Sequence, residues 1–262
     1  GTMRPELFEV GGFTLYSFGL MAALALILPG LLVVRPLIRR RGVDPEFSIE
    51  LIFAAGIGGF LGARLYYLAE HWNDIQGDVL GAAFSSIGFT WYGGLIGGFV
   101  GVVAWTLIRG VPLGVVANAM AVATAAGYAI GRIGCQLAGD GDYGRESDLP
   151  WAMGYPNGTV PTAPGVTVHP TPVYEIILMI PIIVTLWWLA GRNHSGWWTF
   201  GWFLVLSGLE RFAVEFVRRN PVWLAGLTQP QWFAIGSAVV GTVLILAFWH
   251  RPPELAHRSR SS

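Results

Sequence analysis

The stretch TLYSFGLMAALALILPGLLVV, Thr14 to Val34, runs directly into RPLIRRR, Arg35 to Arg41. An α-helix needs roughly 20 mostly apolar residues to cross the hydrocarbon core of a bilayer, and the first stretch is that long. Arginines are retained on the cytoplasmic side of a membrane, so the run from Arg35 to Arg41 reads as the cytoplasmic exit of this first span and puts the N-terminus outside. MAALA has small residues at cleavage-like spacing, which raises the alternative of a secretory signal. A leader containing Pro5 and Glu6, with Arg4 as its one basic residue, and an apolar run longer than an ordinary signal core favour an uncleaved helix instead.

Working outward from this stretch, six more apolar runs qualify as spans, at about 48–69, 88–107, 113–137, 172–190, 197–217 and 230–249. The expected fold is therefore an all-α membrane protein of about seven transmembrane helices, a single integral domain over 3–262, with Gly1 and Thr2 ahead of Met3 set aside. An outer loop at about 139–171 and a short cytoplasmic tail at about 250–262 complete it. Composition agrees, since 53% of the 262 residues are hydrophobic and 12% are charged, against about 25% charged in a soluble domain. The 16 basic residues, all arginine, balance 16 acidic ones, which argues against a nucleic-acid partner. A single cysteine, Cys135, excludes an internal disulfide and a cysteine metal cluster. No metal and no cofactor are expected.

The distribution of arginine extends the topology. With the N-terminus outside, Arg35, Arg39, Arg40, Arg41, Arg109, Arg192, Arg251, Arg258 and Arg260 fall on the cytoplasmic side, and Arg4, Arg145, Arg218 and Arg219 on the outer side. Gly93, Gly97 and Gly101, Gly94 with Gly98, and Gly58 with Gly62 repeat every four residues, as expected where membrane helices pack closely. The long polar insert from Gly139 to Val168 is expected to be functional. Its Trp151, Met153 and Tyr155 suggest a loop lying on the membrane surface.

Arg64, Arg132 and Arg211 lie within or at the ends of spans, where a charge needs a partner or an anionic substrate. Snorkelling to the interface is the simpler account for Arg64. Arg211, Glu215 and Arg218, at i, i+4 and i+7, share one helix face, and Glu210 lies about a quarter turn away. Arg132 precedes Asp140 and Asp142 across a helix exit. Two arginines, each held by a carboxylate, can clamp a phosphate, because the guanidinium fork matches phosphate oxygens and never deprotonates. In a membrane that phosphate belongs to a phospholipid. VHPTPVYE, Val168 to Glu175, opens the next helix, with Pro170 and Pro172 where a missing N–H costs little. His169, Tyr174 and Glu175 then stand together at a membrane boundary.

GARLYYL (Gly62 to Leu68), WYGGLIGG (Trp91 to Gly98), GRIGCQLAGDGDYG (Gly131 to Gly144), VHPTPVYE and RFAVEFVR (Arg211 to Arg218) occur in the order found in the prolipoprotein diacylglyceryl transferase family, which this chain resembles over most of its length. The resemblance implies a seven-helix, N-out protein of the bacterial plasma membrane. It also implies transfer of a diacylglyceryl group from phosphatidylglycerol to the lipobox cysteine thiol of a prolipoprotein, with glycerol phosphate leaving. The expected catalytic residues are Arg132, Arg211, His169 and Tyr92. The expected substrate-binding residues are Arg64, Asp140, Gly144, Tyr174, Glu175 and Glu215. Four positions depart from the family pattern: Phe18 and Ser207 replace tyrosines, Tyr92 replaces a histidine and Cys135 an asparagine. These make a divergent member or paralogue the expectation. The alternatives are a related transferase with a different lipid or small-molecule acceptor and a non-enzymatic lipid-binding or transport protein. The latter is disfavoured because no inverted repeat is visible.

Overall fold

The computed structural model describes residues 6–10, 13–72 and 91–255. It begins with an antiparallel hairpin, β1 (Glu6–Val10) and β2 (Phe13–Tyr16). The first helix, α1 (Ser17–Pro29), passes through a π-helical turn at Gly30–Val34 into α2 (Arg35–Arg40), giving one continuous span of 24 residues. This corrects the expectation that the helix stops at Val34. Pro29 removes one intrahelical hydrogen bond, and the wider π turn absorbs the lost register so that the helix resumes. Pro36 is the second residue of α2.

Five long helices follow: α3 (Phe47–Glu70), α4 (Trp91–Ile108), α5 (Leu113–Ala138), α6 (Thr171–Ala190) and α7 (Gly196–Glu215). A second hairpin, β3 (Val222–Leu224) and β4 (Leu227–Thr228), leads into α8 (Gln229–Phe248). The protein is an all-helical membrane protein apart from these two short ribbons. Among the described residues, five spans are long and apolar enough to cross a bilayer: Ser17–Arg40, α3, α5, α6 and α8. The apolar part of α4, Gly93–Ile108, is shorter, and α7 carries Glu210, Arg211 and Glu215 near its end. The outward faces are apolar. Phe53, Phe60, Phe99, Val184, Phe233 and Leu246 are all exposed, an arrangement that suits lipid and would aggregate in water.

α5 is the central helix. Its most apolar window is 56% buried, against 17–28% for the other four spans, and it packs on α1, α6 and α7. Its run of Ala, Gly and Val permits this, since small side chains let neighbours approach on several sides. The glycines of α3 and α4 are packing residues, as their spacing suggested. A Cβ on Gly62 would lie 2.7 Å from Gly97 Cα, and one on Gly97 would lie 2.7 Å from Gly62 Cα. Pro170 and Pro172 flank the start of α6, as read from the sequence.

The 139–171 segment folds back on itself and is largely ordered by its own contacts. Gly139, at φ 58°, ends α5 in the left-handed conformation that glycine adopts without strain. Glu146 and Met153 both bridge to Val168. Tyr155, expected at the membrane surface, points inward instead. It is 1% exposed, stacks on Tyr143 at 4.7 Å between ring centroids, and donates to Gln136 Oε1 at 2.9 Å. Trp151 and Met153 remain exposed.

Candidate active site

Where α5, α6 and α7 meet the 139–171 segment, three arginines and three carboxylates interlock. Glu175, one turn into α6, is fully buried and is the hub. Its Oε1 accepts from Tyr128 Oη at 2.9 Å, Arg211 Nη1 at 3.1 Å and Arg218 Nη1 at 3.2 Å, and its Oε2 lies 2.9 Å from Arg132 Nε. A buried carboxylate is costly unless paired, and here every nearby helix supplies a partner. Arg132 also pairs with Asp142, and its guanidinium lies 4.8 Å from the centroid of the Tyr128 ring. Arg218 Nη2 donates to Asp142 Oδ1 at 2.7 Å. Arg211 Nη2 lies 3.0 Å from Glu215 Oε2, the i, i+4 pair read from the sequence.

Asp142, not Asp140, is the carboxylate that meets Arg132. Asp140 instead accepts from the backbone N–H of Asp142 at 3.2 Å. The tight Gly139–Gly141 turn aims the two acids differently. Burial pushes both carboxyl groups up. For Asp142 the guanidinium groups of Arg132 and Arg218 outweigh burial and hold it below the usual carboxylate range. For Asp140 burial prevails and its pKa is raised. Ligand atoms of Cys135, Asp140 and Asp142 lie within 4.8 Å of one another. Asp142 is already engaged by two arginines, which accounts for its position without a cation.

Arg218 belongs to this cluster although its place just beyond α7 reads as an outer-surface residue. The i+7 spacing from Arg211 was the available signal. The segment after α7 is pinned to the loop, since Arg145 Nε donates to Arg218 O at 3.0 Å and Arg219 Nη2 to Gly141 O at 2.9 Å. That pinning turns Arg218 inward, where it is 8% exposed. Tyr128, a further member, is recognisable in sequence only as one turn before Arg132.

The remaining expected residues divide. His169 and Tyr174 form a group of their own, with His169 Nδ1 3.1 Å from Tyr174 Oη, which accepts from Trp151 Nε1 at 2.8 Å. The group joins the cluster through Thr171, whose hydroxyl donates to the backbone carbonyl of Asp142. Gly144 is a close-approach position. Its N–H donates to His169 O at 2.8 Å, and a Cβ there would lie 2.9 Å from both His169 Cβ and Thr171 Cγ2. This geometry makes it a packing residue of the loop. Glu215 is 1% exposed, and its Oε1 accepts from Asn220 Nδ2 at 2.7 Å and Thr228 Oγ1 at 2.9 Å. It therefore orients Arg211 and has little left for a ligand. Arg64 lies on α3, with its guanidinium 5.7 Å from the centroid of the Tyr67 ring. Tyr92 opens α4, and its side chain lies outside the described residues.

The guanidinium-bearing side chains of Arg132 and Arg211 are 15% and 23% exposed. Each is anchored by two carboxylates, Arg132 by Glu175 and Asp142 and Arg211 by Glu175 and Glu215, and each keeps part of its surface accessible, as an anion clamp requires. Fold and site together define a class: a multi-pass membrane protein that holds a preorganised cluster of arginines within its helices. The chain belongs to the prolipoprotein diacylglyceryl transferase family, whose model matches residues 5–247. Among its relatives is a Clostridium perfringens protein named phosphatidylglycerol–prolipoprotein diacylglyceryl transferase 2, 28% identical over 93% of this chain and 94% of that protein. Proteins named phosphatidylglycerol–prolipoprotein diacylglyceryl transferase from Clostridium tetani and Bordetella parapertussis are 29% and 31% identical, over 91% and 95% of this chain and 95% and 97% of theirs.

Proposed function

We propose that this protein transfers the diacylglyceryl group of phosphatidylglycerol to the lipobox cysteine thiol of a prolipoprotein, releasing glycerol phosphate, and that the arginine cluster is where it does so. The observation that carries the reading is the pair of partly exposed arginines, Arg132 and Arg211, held together by their shared partner Glu175. The acceptor's thiolate attacks the glycerol carbon of the lipid, a C–S bond forms, and the C–O bond to phosphate breaks. Negative charge grows on the departing phosphate oxygen. Fixed cations are worth most where charge develops in the transition state, and two guanidinium forks on that phosphate supply them. His169 and Tyr174 border the cluster and are assigned to the substrate side.

Seven spans, an outer N-terminus and a cytoplasmic C-terminus in a bacterial plasma membrane complete the proposal. The arginine asymmetry supports this orientation, and it puts the cluster in the outer half of the membrane. Cysteine labelling from outside is expected to reach positions between 139 and 168 and to miss 39–41; the reverse pattern overturns the orientation. The functional reading is tested with purified protein, phosphatidylglycerol and a lipobox peptide. Glycerol phosphate release that requires the peptide supports it, whereas release without peptide points to a different acceptor. Restoration of growth in a bacterium depleted of its own transferase is the cellular counterpart.

A further inference from the structure

The described ion pairs of the cluster balance, with Arg132, Arg211 and Arg218 against Asp142, Glu175 and Glu215. A fourth carboxylate, Glu210, stands beside them without an ion pair among the described residues. It is 6% exposed, and its Oε1 has no hydrogen-bond partner among the described residues. It is one residue before Arg211 on α7, on the inward face that also carries buried Val214. The charged and titratable groups in its electrostatic reach are Tyr128 and Arg132 from α5, Glu175 from α6, and Arg211 and Arg218 from α7 and the turn after it. α8 also packs on α7 and has no ionisable side chain between Gln229 and Phe248.

We propose that Glu210 is the proton-donating catalytic residue of this site, entering the reaction as the neutral acid and protonating the phosphate oxygen released when the C–O bond breaks. The inference rests on the diacylglyceryl-transfer reading. Two facts of the site carry it. Three cations are already neutralised by three carboxylates, so a fourth negative charge, buried and with no ion pair among the described residues, is the one with least to stabilise it. A substrate phosphate adds another negative charge to the same arginines, which further favours the neutral form. The step balances. The thiolate sulfur gains a bond to the glycerol carbon, the C–O electron pair stays on the phosphate oxygen, and the proton of Glu210 moves to the phosphate, whose second ionisation lies near pH 6. Glu210 is left as carboxylate and recovers its proton from the next acceptor thiol on its way to thiolate.

The experiment compares wild type, Glu210→Gln and Glu210→Asp in detergent or vesicles with phosphatidylglycerol and a lipobox peptide, measuring initial rates across pH and thermal unfolding in parallel. Wild-type kcat is expected to fall as pH rises and Glu210 loses its proton. Glu210→Gln is expected to lose at least about tenfold in kcat, to keep KM and unfolding temperature, and to lack that alkaline limb. Glu210→Asp should retain the limb at reduced rate, which covers the case of a glutamine variant that folds poorly. A glutamine variant with the wild-type rate and profile overturns the proposal, as does one that is slower by the same factor at every pH. If wild type itself releases no glycerol phosphate with the peptide, the transferase reading fails and takes this proposal with it. The two failures are thus distinguishable.

Discussion

The two ends of the helix bundle both set a buried arginine near a hydrogen-bonded glutamate, to different effect. At the loop end, Arg132 and Arg211 each meet two carboxylates and still stay partly open. At the tail end, Arg41 is 6% exposed and donates to the backbone carbonyl of His194 at 3.0 Å. Glu254 there accepts from Ser195 Oγ at 2.5 Å and Gly196 N at 2.8 Å, capping the first turn of α7. A carboxylate at a helix N-terminus satisfies orphan N–H groups and complements the helix dipole. The tail end therefore uses charge to close the fold, and the loop end uses it to hold other charges ready. What separates them is whether a guanidinium edge is left open.

The comparison breaks first at Glu175. Replacing it with Ala strands three arginines around one buried vacancy. A loss of about 3–5 kcal/mol is expected from breaking such a buried network, together with loss of turnover, read by thermal unfolding and glycerol phosphate release. Unchanged unfolding would show that the hub does not organise the cluster. Next, Arg132→Lys and Arg211→Lys should each reduce turnover by about 100-fold with protein levels preserved, because a point charge cannot reproduce the fork. Near-normal rates in both would end the clamp.

A smaller effect separates His169 from Tyr92. Tyr92→Phe removes the phenol hydroxyl and is expected to cost about tenfold, the scale of one lost hydrogen bond, and His169→Ala more. Activity abolished by the former and spared by the latter would reverse the roles. At the tail end, Glu254→Gln should lower stability by about 1 kcal/mol, the scale of a lost helix cap, and leave kcat unchanged. A kcat defect there would mean that the two ends are coupled. The smallest effect is with acid. The folded protein holds Asp142 below its unfolded value, near 3.9, so the stability it contributes is fully present above that value. It is lost as pH falls through the depressed folded value. Asp142→Asn should therefore flatten the unfolding-temperature profile only in the acid range, and flattening between pH 5 and 7 would contradict the assignment.

Much of the fold was legible from local pattern. Apolar run length located the seven long helices of the described residues, proline placement marked the start of α6, and four-residue glycine spacing marked the α3–α4 seam. These features are local, since span length and helix face follow from residues a few positions apart. The Arg211–Glu215 pair was legible for the same reason. RPLIRRR was misread as following the helix because its charges suggested an exit, while the π turn at Gly30–Val34 carries the helix on to Arg40.

The amino-acid sequence by itself determined that this chain lives in a membrane and that Arg64, Arg132 and Arg211 need partners or an anionic substrate there, because an unpaired charge in hydrocarbon is too costly to leave standing. Only the tertiary structure decided who those partners are. Asp142 in place of Asp140, Glu175 shared among three arginines, Arg218 turned inward, Gly144 pressed against His169 and Tyr155 folded under its loop all depend on how far helices from distant parts of the chain rotate and approach. That is set by small-residue contacts along α5 and by the loop pinned to the end of α7, and a periodicity read along one helix contains no information about the rotation of its neighbour.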